Sequence, residues 1–325
     1  MIRHRGMTRR QTLLGLAGIG AFGLPGRAQA ADRLSVVTTT GMLGDVVTRV
    51  GGAAVDVQSL LGPGLDPHAF RATRSDIVAM ARADMVVWHG LGLEAQLVPF
   101  MEDLAAKKPV IALGEAVPQD RLIPHDEYAD AFDPHIWMDP GLWALAAAAA
   151  HDILAEARPE AAAEIAANAE SYLQDAARVG AYAREVLSTV PEDARVLVTA
   201  HDAFGYFGRA FGFEVLGIQG ISTESEAGLN RIRDLVDVLV DRRIGAVFVE
   251  SSVSDRNMRA LIEGAAARGH DVAVGGELFS DAMGPQGSYE GSWLGMIDHN
   301  VTTIAAALGG RVPDRGMDGR LSAGL

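Results

Sequence analysis

The chain contains no cysteine in its 325 residues. Disulfides and thiolate metal ligands are therefore excluded, and so is a lipid attached through an N-terminal cysteine. Basic residues are scarce: 28 Lys and Arg stand against 42 Asp and Glu, a formal net charge of −14. That balance argues against nucleic acid as a partner and favours a cation. Long apolar runs are missing as well. No segment after the N-terminal stretch reaches the roughly 18 unbroken apolar residues of a membrane-crossing helix. There is no His-Glu-x-x-His helix, no Walker-type phosphate loop and no Gly-x-Ser-x-Gly elbow, which removes the commonest sequence signs of an enzyme.

What is present starts with an export-like N terminus. Arg3, Arg5, Arg9 and Arg10 precede an apolar stretch from Leu13 to Leu24, and Ala28-Gln29-Ala30 offers a small-x-small cleavage site. Thr8-Arg9-Arg10-Gln11-Thr12-Leu13-Leu14 resembles a twin-arginine signal. Residues 1–30 are expected to be a cleaved export signal. Their loss removes arginines and no acids, leaving a still more acidic protein, free in the periplasm and without a lipid anchor.

Beyond this segment, short apolar runs alternate with helical patterns. Strands are expected at 34–39, 55–60, 85–88 and 110–113, then at 195–199, 214–218, 246–250 and 271–274. Helices are expected at 42–50, 75–82, 228–242 and 255–268. An alanine-rich helix at 140–156 ends before Pro159, and a longer one at 160–187, rich in Ala, Glu, Leu and Arg, ends before Pro191. The pattern predicts an α/β fold of two lobes, each a small parallel sheet flanked by helices. The expected division is residues 31–159 for the first lobe, 160–190 for a linking helix and 191–325 for the second lobe. A site is expected in the cleft, where the carboxyl ends of the strands meet.

Asp-Pro-His occurs twice, at Asp66-Pro67-His68 and Asp133-Pro134-His135. Two identical loop contexts are hard to attribute to surface drift. His201 follows the strand-like Val196–Ala200, and Asp281 lies in the acidic turn Phe279-Ser280-Asp281-Ala282-Met283-Gly284. Three imidazoles and a carboxylate form a complete donor set for one divalent transition metal. Asp66 is placed to orient a neighbour, as carboxylates beside metal ligands do. His89 is a candidate cleft-lining residue, His125 a weak cation attractor, and His151, His270 and His299 are read as structural or surface residues.

These residues carry a resemblance that covers essentially the whole chain after its N-terminal segment. The segments Asp66–Phe70, Gly90–Glu94, Asp133–Pro140, His201–Phe207, Gly217–Glu224, Phe279–Gly284 and Gly295–Asn300 resemble those of the manganese/zinc group of ABC-transporter substrate-binding proteins, often called TroA-like. The resemblance implies metal ligation by His68, His135, His201 and Asp281, and one long, stiff helix joining the lobes. It also implies capture of one Mn²⁺ or Zn²⁺ by a monomer that hands it to an ABC permease, without catalysis. Two departures stand out. His89 replaces a frequent Asn, and the segment Pro118–Asp133 is short, with only His125, where zinc-dedicated members often carry a long His-rich loop. The alternatives are a secreted metal-dependent hydrolase with Glu250 or Glu224 as general base, and a surface or adhesive protein that a metal merely stabilises.

Overall fold

A computed structural model describes residues 33–125, 128–225 and 227–322; the expected export signal at 1–30 lies outside them. In the first half, β1 (Leu34–Thr38), β2 (Val55–Ser59), β3 (Met85–Trp88) and β4 (Val110–Ala112) form one sheet in the order β2-β1-β3-β4. All its pairings are parallel. Crossovers run through α1 (Gly41–Gly51), α2 (Arg74–Arg82) and α3 (Val98–Ala105). The central strand β3, Met85-Val86-Val87-Trp88, reads as an unbroken apolar run, as a strand covered on both faces does.

The second half repeats the arrangement in two parallel pairs. β5 (Val196–Thr199) pairs with β6 (Glu214–Gly217), and β7 (Ala246–Glu250) with β8 (Ala273–Leu278). β5 also lies against β7. The helices α6 (Gly205–Phe211), α7 (Leu229–Asp241) and α8 (Arg256–Ala267) provide the crossovers.

Three helices tie the halves together. α4 (Pro140–Ala157) and α5 (Ala162–Leu187) lie in the middle of the chain, and α9 (Trp293–Ala307) comes near its end. α5 buries Ile165, Ala169, Tyr172, Ala176, Val179, Ala183 and Val186. That three- and four-residue spacing makes one apolar stripe along the helix. The stripe packs against α4, against α1 of the first half and against α9 of the second. At its centre the Trp143 indole donates to the Tyr172 hydroxyl at 2.9 Å, with the Trp293 ring about 6 Å from both. The residues from Arg33 onward form one compact unit.

Two elements differ from the sequence expectation. β8 runs through Gly275 and Gly276, which read as strand breakers. A Cβ on Gly275 would lie 2.8 Å from the Phe248 ring, and Gly276 adopts φ 150° with Thr303 Cγ2 only 2.5 Å from where its Cβ would be. Here glycine permits close approach inside the strand. The short α3 was not anticipated, although Pro99 in its first turn is a favourable start.

Candidate metal centre

The four expected residues arrive from four separate loops. His68 follows β2, His135 precedes α4, His201 follows β5 and Asp281 follows β8. One ligand atom from each lies within 4.8 Å of all the others. His68 Nε2 is 3.2 Å from His135 Nε2, which is 3.3 Å from Asp281 Oδ1; His201 Nε2 is 3.1 Å from Asp281 Oδ2. All four side chains are buried. His201 Nε2 and both Asp281 oxygens have no hydrogen-bond partner despite that burial. Burying such polar atoms unpaired is costly, unless they serve to bind something.

Carboxylates orient two of the three imidazoles. Asp133 Oδ1 accepts from the His135 backbone N–H at 2.9 Å and lies 2.7 Å from its Nδ1. Glu250, at the end of β7, does the same for His201, with Oε1 2.9 Å from the backbone nitrogen and Oε2 2.5 Å from Nδ1. Each carboxylate fixes the ring and turns Nε2 towards the common centre, the usual arrangement behind a metal-binding histidine. Glu250 is thus engaged with His201, and exposed Glu224 accepts from Gln96 at 2.8 Å. Neither is poised as the general base that a hydrolase would need. Asp66 holds its neighbour through the backbone, accepting from the His68 N–H at 2.8 Å.

Charge is divided unevenly among the donors. Burial pushes the His68 imidazole down to about 3, with Asp281 only partly opposing it. For His135 burial also pulls downward, but Asp133 and Asp281 outweigh it and lift the group to about 9. His201 goes well above its ordinary value, because Asp281 and Glu250 overcome its burial. Burial would raise Asp281, yet the facing His201 and His135 hold it well below the usual carboxylate range.

His89 stays outside the ligand cluster. Its Nε2 lies 2.7 Å from the Pro134 carbonyl and its ring packs edge-on against Trp137, so it braces the turn that carries His135. The Gly90-Leu91-Gly92 turn beside it has three consecutive positive φ values, 77°, 54° and 81°. Glu94 holds that turn by accepting from the backbone of His89 and Gly90. Other bracing residues had no role assigned from the sequence, although Trp137 and Asn300 lie in segments that carry the family resemblance. The Trp137 indole donates to the Ser280 carbonyl at 2.8 Å, and Trp293 donates to the Trp137 carbonyl at 3.0 Å. Asn300 accepts from and donates to the backbone of Phe279, two residues before Asp281. His270 and His299 bond to backbone carbonyls elsewhere, and His151 pairs with Asp152.

Two parallel-sheet halves that bring such donors together define a class of protein: the metal-binding, substrate-binding components of ABC transporters, which are not enzymes. The family described as zinc-uptake complex component A, periplasmic, matches residues 36–307, and the chain belongs to it. The manganese-binding lipoprotein MntA of Bacillus subtilis is 41% identical over 305 residues, covering 92% of this chain and 99% of the relative. The zinc-binding protein TroA of Treponema pallidum is 41% identical over 281 residues, covering 86% of this chain and 91% of the relative. The solved structure of the periplasmic zinc-binding TroA superposes with a TM-score of 0.83, covering 85% of this chain and 99% of that one.

Proposed function

We propose that the chain carries one Mn²⁺ or Zn²⁺ ion, held by His68, His135, His201 and Asp281, to the outer face of a membrane permease for import. The observation that carries this reading is the convergence of four buried donors from four loops, two of them oriented by carboxylates. Export by residues 1–30, a periplasmic location and a monomeric state complete the proposal. The lack of cysteine supports release from the membrane rather than lipid anchoring. In the same reading, residues 31–159 and 191–325 are the two lobes and 160–190 is the strut between them.

The donor set suits either metal. Three imidazoles with one carboxylate oxygen match the four-coordinate preference of Zn²⁺. Both Asp281 oxygens lack hydrogen-bond partners, so the carboxylate is free to chelate through both and raise the coordination number towards what Mn²⁺ takes. The Irving–Williams order predicts tighter Zn²⁺ binding at equilibrium whatever the biological cargo. The short Pro118–Asp133 segment, without a His-rich run, tilts the transported ion towards manganese. Elemental analysis of protein taken from its native compartment, with competitive Mn²⁺/Zn²⁺ titration, tests the reading. Alanine at any of the four positions is expected to abolish tight binding. A variant that keeps full affinity removes its residue from the set, and binding of neither metal by the unaltered protein refutes the function.

A further inference from the structure

Among the three candidate imidazoles, His68 alone has no carboxylate on its second nitrogen among the described residues. What fixes it is its backbone. Asp66 Oδ1 accepts from the His68 N–H at 2.8 Å, and the other oxygen, Oδ2, accepts a 2.5 Å hydrogen bond from the hydroxyl of Thr223. Asp66 belongs to the loop after β2 in the first half, whereas Thr223 belongs to the segment after β6 in the second. Glu224 makes a parallel crossing, accepting from Gln96 of the first half at 2.8 Å. The Thr223 segment is itself braced: Gln219 donates to the Ser225 carbonyl, and the Arg231 guanidinium donates twice to the Gly217 carbonyl.

The contrast with the other rings is physical. His135 and His201 are each clamped by a carboxylate of their own half, through both backbone and ring. His68 is held by a two-bond chain whose last link crosses to the other half. Other hydrogen bonds also cross the halves, such as Tyr206 to the Asp133 carbonyl, but only this one reaches the residue that holds the His68 backbone. A movement that separates the Asp66 loop from the Thr223 segment breaks it, and the loop bearing His68 then loses its anchor. The Gln96–Glu224 bond is exposed and contributes less, since solvent competes for both partners.

We infer that Thr223 is a positioning residue for metal release: its hydroxyl, through Asp66, latches the His68 loop across the two halves and sets the rate at which the bound ion leaves. This rests on the reading of His68 as a ligand. A latch of this kind acts on dissociation far more than on encounter, because it is made only once the halves are together.

The test uses the full chain loaded with Zn²⁺ and follows release to an excess of chromogenic chelator by stopped flow. Thr223→Val keeps the side-chain shape and removes the donor. It is expected to speed release about tenfold, the consequence of losing one hydrogen bond to a charged group. The melting temperature of the metal-free protein should stay unchanged, and Thr223→Ser, which restores a hydroxyl, should return the rate to that of the unaltered protein. Release from Thr223→Val at the unaltered rate, or equally fast release from Thr223→Ser, overturns the latch. His68→Ala separates the two ideas. If it retains full zinc affinity, the ligand assignment falls and the latch with it; if it loses zinc while Thr223→Val releases normally, only the latch falls.

Discussion

Asp133 and Glu250 do the same job from different distances in sequence. Each accepts from the backbone and the Nδ1 of a histidine that faces the common centre, two residues away for His135 and 49 for His201. Removing such a carboxylate while keeping its shape, as in Asp133→Asn or Glu250→Gln, should weaken metal affinity about 10- to 100-fold, since the ring loses its fixed orientation and basicity. Competitive titration checks this, and circular dichroism of the metal-free variants should remain unchanged. Proton competition gives a second expectation. In the metal-free protein His135 is lifted to about 9, so it holds a proton at neutral pH, whereas His68, lowered to about 3, does not. Coordination requires neutral imidazole, so binding must expel the His135 proton. His201, raised well above its ordinary value, must give up its proton too, so apparent affinity should fall steadily as pH drops from about 9 through neutrality. Calorimetric titration in two buffers of different ionisation enthalpy should report protons released at pH 7. At this scale the meeting of His68, His135 and His201 was legible in local patterns, a repeated Asp-Pro-His and a histidine at a strand end, whereas Asp281, in a turn of common type, stood out through the family resemblance. The role of Glu250 was not: only the packing of β7 beside β5 brings it to His201.

β8 shows what a local reading misses. Gly275 and Gly276 look like an ending, yet the strand continues through Leu278 and so delivers Asp281 to the centre. The requirement for glycine comes from Phe248, Thr303 and Ala307, which are remote in sequence. Gly276→Ala combines a φ of 150° with a 2.5 Å clash against Thr303 and should destabilise the metal-free protein by about 1–3 kcal/mol, as overpacked cores do. Urea denaturation with unchanged m-value measures it. The long helices were easier to read. In α5, propensity and a three-to-four-residue apolar spacing agree over the full length, and proline bounds it on both sides.

On the scale of the whole molecule, the principal core is built without the metal donors. Trp143, Tyr172 and Trp293 join α4, α5 and α9, and the aliphatic faces of α1 and α5 extend that core into both halves. A carrier must stay folded after giving up its cargo, and this construction provides for that. The metal-free chain is expected to unfold cooperatively on heating, with Tm rising as Mn²⁺ or Zn²⁺ is added; ligand at 100 times its Kd contributes roughly 2.7 kcal/mol. Scanning calorimetry with and without chelator makes the comparison. A metal-free form without a cooperative transition would instead mark the ion as a structural staple. The two-lobe α/β plan could be read from strand–helix alternation, whereas the way α5 touches both sheets' helices depends on three-dimensional packing that no local window contains.

Trp137 has one further consequence. It is one of four tryptophans, its ring lies 5.2 Å from that of His135, and its indole N–H is committed to the carbonyl beside Asp281. The molecule therefore carries an intrinsic fluorophore at the edge of its own cation site. Occupancy is expected to be readable in the ultraviolet emission of the unlabelled chain, with different traces for the two ions: Zn²⁺, with its filled d shell, should change only the local field, while the unpaired electrons of Mn²⁺ should quench the excited indole.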